Sequence, residues 1–143
     1  MLKYFRISIL LILCFICSLK NIAGQNYIGL YKDEIRKNIP SQYQGFVFEK
    51  EVLNGNKSFI KFVNANEEQT LLFVLHEKGY CTSSSRMYNT WLYNQVENEL
   101  KKKYAQIDST TWVESANNHK YEIRLIKGEW FITVTTYPYS NEK

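Results

Sequence analysis

Among its 143 residues the chain has two prolines, six glycines and three cysteines. So few backbone breakers exclude a collagen and a proline- or glycine-rich disordered tail. Past residue 24 no apolar run approaches the roughly 20 residues that a membrane-spanning helix needs. That stretch also lacks a G-x-S-x-G, an H-E-x-x-H, a phosphate-cradling glycine loop and a C-x-x-C. The common hydrolase, metalloprotease, nucleotide-binding and disulfide-exchange chemistries are therefore not expected. What the chain does contain is 45% hydrophobic, 15% aromatic and 22% charged residues, the composition of one folded globular unit.

The N-terminus opens with the cations Lys3 and Arg6, continues through an apolar run from Ile7 to Leu19, and reaches the small residues Ala23-Gly24. This order is that of a secretory signal peptide. Cleavage after Gly24 is expected, leaving residues 25–143 as a single domain in the periplasm or outside the cell. Cys14 follows Leu13 and Cys17 follows Ile16; neither has the small preceding residue that lipidation requires.

Removing residues 1–24 takes away Lys3, Arg6 and Lys20 and no acid, so the formal charge falls from +4 to +1. The excess of positive charge belongs to the leader, and no clustered basic face remains for nucleic acid. The run Lys101-Lys102-Lys103 reads as a helix end favoured by the helix dipole. Cys81 is the one cysteine left, so no internal disulfide is expected and the fold must rest on its core. No stable membrane insertion is expected after cleavage.

A short helix is expected to start near Tyr31, with Asp33 and Glu34 in its first turn and Leu30 and Ile35 at staple positions. Pro40 is expected to end it at Ile39. Three hairpins follow. Gly45–Leu53 and Ser58–Val63 flank Asn54-Gly55-Asn56; a three-residue loop pairing Phe48 with Phe62 and Glu49 with Lys61 is expected, in preference to a Gly55-Asn56 loop that sets Lys50 against Lys61. Gln69–His76 and Tyr80–Arg86 flank Glu77-Lys78-Gly79, and the unbroken run Leu71–Leu75 reads as a central strand. A Lys127-Gly128 loop in the last hairpin places Leu125 opposite Trp130 and Ile123 opposite Ile132, sorting one apolar and one mostly polar face.

Between the hairpins, Tyr88, Leu92, Val96, Leu100 and Tyr104 fall at i, i+4 spacing, predicting one long helix from Tyr88 to Tyr104 whose stripe packs on the last hairpin. The expected fold is α+β. About six to seven antiparallel strands carry the long and the short helix on one face, and the two Lys-Gly turns hint at a duplicated helix-plus-sheet unit.

His76 and Cys81 are the one pair suited to nucleophilic catalysis. A two-residue Lys78-Gly79 loop sets them opposite each other, about 4.5–5.5 Å apart between Cβ atoms, where an imidazole activates a thiolate. A Glu77-Lys78-Gly79 loop instead puts Cys81 against Leu75 and dissolves the pair, and a packed cysteine is the commoner role. The acids Glu49, Glu51, Glu67 and Glu68 read as surface charge. His119, beside the Asn117-Asn118 turn, has no partners at metal-ligand spacing, and no cofactor is expected. Asn56-Lys57-Ser58 is an N-glycosylation sequon, and Asp108-Ser109-Thr110 resembles a short O-glycosylation acceptor of some Gram-negative secreted proteins.

The Ala23-Gly24-Gln25 ending, the segment Gly29-Leu30-Tyr31-Lys32-Asp33-Glu34-Ile35 and the helix before tryptophan-bearing strands resemble the small signal-bearing exported proteins of Gram-negative bacteria. The helix start is also similar to that of the small outer-membrane assembly lipoprotein and of beta-lactamase-inhibitor-like domains. That resemblance implies helices packed on one face of an antiparallel sheet and action by binding other proteins; it carries over no functional residue. The function expected is that of a non-enzymatic binding or accessory domain of the cell envelope, recognising another protein through Phe131, Thr133, Thr135 and Tyr137 on the wet sheet face. The alternatives are a small apolar-ligand carrier with its cavity between helix and sheet, and a thiol enzyme using His76 and Cys81.

Overall fold

The computed structural model describes residues 26–140; the expected leader lies outside them. Helix α1 spans Lys32–Gln42. It begins where the Tyr31 backbone N–H donates to the Glu34 carboxylate at 3.1 Å, so the acid three residues on does the capping that the tyrosine side chain cannot. Ile35 and Ile39 are fully buried beneath it. The helix runs on through Pro40. The expected stop at Ile39 is thus corrected: a proline in the final turn forfeits one hydrogen bond where few remain to lose.

Four strands follow, β1 (Val47–Asn54), β2 (Lys57–Asn64), β3 (Gln69–Leu75) and β4 (Cys81–Asn89). A single turn of 3-10 helix, Thr90–Leu92, leads into α2 (Tyr93–Lys103). Four more strands close the chain: β5 (Ala105–Asp108), β6 (Thr111–Ala116), β7 (His119–Lys127) and β8 (Phe131–Pro138). All eight form one antiparallel sheet in the order β1-β2-β3-β4-β8-β7-β6-β5. Each half is a helix followed by a four-strand meander, and the last strands of the two meanders pair at the centre.

This corrects the expected architecture. The protein is mostly sheet, with eight strands rather than six to seven, and with two helices of 11 residues each rather than one long and one short. The stripe Tyr88, Leu92, Val96, Leu100 and Tyr104 does pack together in one cluster. Tyr88 reaches it from a strand, however, and Leu92 from the 3-10 turn. Shared burial gave the spacing, while the backbone changes type along it.

Two registers also differ from expectation. The first hairpin turns on Gly55-Asn56, so Lys50 does face Lys61, and a bulge at Glu49 restores the Phe48–Phe62 pair. The like charges are tolerated because Lys61 Nζ reaches the Glu49 carboxylate at 2.8 Å. In the last hairpin Leu125 faces Val134 and Ile123 faces Thr136, a slip of four residues from the expected pairing. An even slip leaves every side chain on its expected face, so Ile123, Leu125 and Ile132 are buried together.

Both helices cover the same sheet face, each over its own core. Beneath α1 the core is aromatic: Tyr27, Phe46, Phe62 and Phe73 join Ile35, Ile39, Ile60 and Leu75, and the Phe62 and Phe73 rings meet edge to face at 5.9 Å. Beneath α2 it is Val96, Leu100, Ile123, Leu125, Ile132 and the fully buried Trp112. Among the described residues no helix is long and apolar enough to cross a membrane.

Candidate functional site

Because the two cores are separate, the central strands β4 and β8 are left between the helices with little over them. Ser84, Arg86 and Tyr88 of β4 lie opposite Thr136, Val134 and Ile132 of β8. Of these, Ser84, Arg86, Tyr88, Thr136 and Val134 form the floor of a cleft of about 240 Å³. Tyr27 and Tyr43, which flank α1, line one wall; Glu99, Leu100 and Lys103 of α2 with Tyr104 line the other. Leu71, Phe73 and Ile123 extend the floor on either side, and Glu114 of β6 stands at the α2 side.

Arg86 dominates the electrostatics. Its Nε and Nη2 both donate to Gln69 Oε1, at 3.0 and 2.6 Å. The guanidinium lies against the rings of Tyr88, Phe46 and Tyr43, 5.0, 5.4 and 5.5 Å from their centroids. Six ion pairs form among the described residues, and none includes Arg86. A neutral amide orients this cation without neutralising it, and the aromatic faces favour it electrostatically. Burial pushes the neighbouring Tyr88 phenol up to about 12, against the pull of Arg86, so it stays a neutral hydroxyl. Burial also raises the Tyr27 phenol, with Tyr43 adding to the effect. The Glu114 carboxyl is raised by burial and partly restored by Lys103. Asn26 also lines the cleft, and its Nδ2 is buried without a hydrogen-bond partner among the described residues.

The residues singled out in the sequence lie elsewhere. His76 and Cys81 are not brought together, because Cys81 pairs with Leu75 while the His76 N–H donates to the Tyr80 carbonyl at 2.8 Å. Gly79 has φ +83° and sits so close to the Tyr31 ring that a Cβ there would lie 2.8 Å from it, so only glycine fits at this turn. Cys81 is buried, its thiol donates to the Ser83 carbonyl at 3.4 Å, and burial pushes its pKa up to about 12. Such a thiol is a packing group rather than a nucleophile.

Phe131, Thr133, Thr135 and Tyr137 do share the helix-free face. Phe131 and Tyr137 are exposed, whereas Thr135 is only 5% exposed and shares a 3.0 Å hydroxyl hydrogen bond with Ser85. The middle of that row is sealed by strand pairing. His119 is exposed at the start of β7 and packs near Tyr121. Among the described residues no three His, Cys, Asp or Glu side chains converge on a metal position.

Sequence reasoning missed the cleft because its lining comes from both halves of the sheet and carries no local motif. The available signal was Ser84-x-Arg86-x-Tyr88, a cation alternating with hydroxyls on the face of a strand that the pattern already required to be covered. Comparison of the chain with protein-family models, with curated proteins and with solved structures finds no match.

Proposed function

We propose that the protein is an exported, non-enzymatic domain that binds a small amphipathic molecule in the cleft between its two cores. The observation that carries this reading is the convergence of tyrosine rings, strand hydroxyls and a single guanidinium that no carboxylate neutralises on one concavity of about 240 Å³. Ligand sites are concave, mostly apolar and furnished with a few placed polar groups. Nothing in the lining supplies an activated nucleophile or a base aimed at one, which favours carriage or sensing over turnover. Native mass spectrometry of the protein purified from its producing cells is expected to show a small non-covalent adduct. Filling the floor with Val134→Trp is expected to abolish it. An adduct-free wild type, or an adduct retained by the filled variant, contradicts the proposal.

A second reading, docking to another envelope protein, is supported by the end of the molecule where β4 leaves and β8 enters the sheet. Trp91 and Trp130 are 75% and 71% exposed there, beside the exposed Phe131. Large aromatics left in water are characteristic of docking surfaces. On this reading the row Phe131 to Tyr137 contributes its Phe131 end alone.

A further inference from the structure

We infer that the cleft is specific for a monocarboxylate with a compact aryl or short alkyl body; this rests on the ligand-binding reading and specifies its chemistry. Three observations converge on an anionic head group. Arg86 sits on the floor with its charge held by Gln69 and by three aromatic rings, but by no carboxylate among the described residues. A partly buried cation normally has an anion close by, because leaving it alone forfeits solvation without compensation. In addition, Asn26 Nδ2 is a buried donor in want of an acceptor. Finally, Ser84 and Thr136 add hydroxyls opposite each other on the same floor. Every one of these groups can donate a hydrogen bond, which is the complement of an oxygen anion.

The opposite wall limits the charge. Glu99 and Glu114 both line the α2 side, and Lys103 acts electrostatically on Glu114. A doubly charged phosphate would meet these acids, whereas a carboxylate placed over Arg86 keeps its single charge at the far side. The volume limits the size. A dry cavity of about 150 Å³ accommodates benzene, so about 240 Å³ suits a ring with a short acid arm. Val134, Tyr43, Tyr88 and Tyr104 are only half-buried in the lining and offer the apolar and ring surface to receive such a ring.

The test is an NMR titration of the full folded protein with 3-phenylpropanoate and with its neutral isostere 3-phenylpropanamide. The acid is expected to bind about tenfold or more tightly than the amide, since a hydrogen bond to a charged group contributes more than a neutral one. Arg86→Gln is expected to reduce acid binding to the amide level and leave the amide unchanged. Asn26→Ala, which leaves Gln69 and the three rings around Arg86 in place, is expected to weaken the acid by severalfold and provides a second readout if the first variant folds poorly. Inorganic phosphate at millimolar concentration is expected to leave the acid bound. Equal affinity for acid and amide overturns the carboxylate assignment while leaving a ligand-binding cleft in place, and displacement by phosphate overturns it in favour of a phosphate ligand. Failure of both probes to bind overturns the inference along with the aryl size class. An adduct in native mass spectrometry would still uphold the broader reading in that case.

Discussion

In the first half of the sheet, α1 is fastened to its strands by charge and backbone as well as by apolar contact. Lys32 Nζ lies 3.1 Å from the Glu51 carboxylate, Arg36 donates to the same carboxylate, and the Arg36 guanidinium stacks over Phe48 at 4.7 Å. The segment leading into the helix pairs with β4 through Gly29 and Cys81, and Cys81 and Leu30, at 2.8 and 2.9 Å. In the second half, the ion pair of Lys101 with Glu97 and the hydrogen bond that the Gln95 amide donates to the Glu99 carboxylate stay within α2. Its ties across the fold include Val96 and Leu100 beneath it, Lys127 over the Tyr93 ring at 5.3 Å, and the charge of Lys103 acting on Glu114 of β6. Two meanders of the same order thus carry one clamped helix and one that rests on its apolar stripe. The loosely held helix is the one whose Glu99, Leu100 and Lys103 border the cleft. A wall that must let a ligand pass is drawn from the less stable part of a fold.

The largest expected effect separates the two cores. Phe73→Ala removes a fully buried ring from the aromatic core and should cost about 3–5 kcal/mol, against about 2–3 kcal/mol for Leu100→Ala, where α2 can settle into the space. Urea denaturation of both variants checks this, and equal losses would mean that the halves are equally rigid. Next in size, Glu51→Ala frees two cations that are about one-third exposed or less, which should cost about 1 kcal/mol once solvent screening is allowed for. Its loss should appear as faster amide exchange in α1 and β1 and not in α2.

The smallest effect is on pH. Burial raises the Glu114 carboxyl, so the folded state holds that proton more tightly than the unfolded chain does. Stability from this group is present when it is protonated and is lost as pH rises through its raised folded pKa. Wild type should therefore gain stability relative to Glu114→Gln on acidification from neutrality towards pH 5, by less than about 1 kcal/mol because the group is only partly buried. Glu49 and Asp108 act in the opposite sense. Lys61 holds one carboxyl down and the Thr110 N–H the other, so their contribution is present above the ordinary carboxylate range and is lost at lower pH. Thermal melts across this range distinguish the two directions.

The comparison also explains which parts of the fold could be read from the sequence. The first half announces itself: Gly55 and Gly79 punctuate strands whose apolar residues alternate or run together, and β2, β3 and most of β4 lie where the pattern puts them. The second half misleads at its start, since Tyr88 and Tyr104 continue the helical spacing of Leu92, Val96 and Leu100 although neither lies in a helix. Strands β5 and β6 escape notice because β5 is four residues long and exposed throughout, leaving Trp112 as the one fully buried residue to mark the pair. Face assignment survived even where register did not, because the last hairpin slipped by an even number. A cavity between helix and sheet was one alternative, but the lining of the cleft was not legible. Arg86 reads locally as one more polar strand residue, and its significance lies in the space between two cores that no single segment encodes.

The central claim is that the cleft is the seam between two halves of unequal hold, with α2 as its movable wall. Native-state amide hydrogen exchange, resolved by residue, tests it most directly. The account predicts that α2 from Val96 to Lys103 opens at a lower free energy than α1 from Ile35 to Gln42, and that 3-phenylpropanoate raises protection in α2 selectively. Opening of α1 first, or of both helices together with no response to the probe, would contradict it.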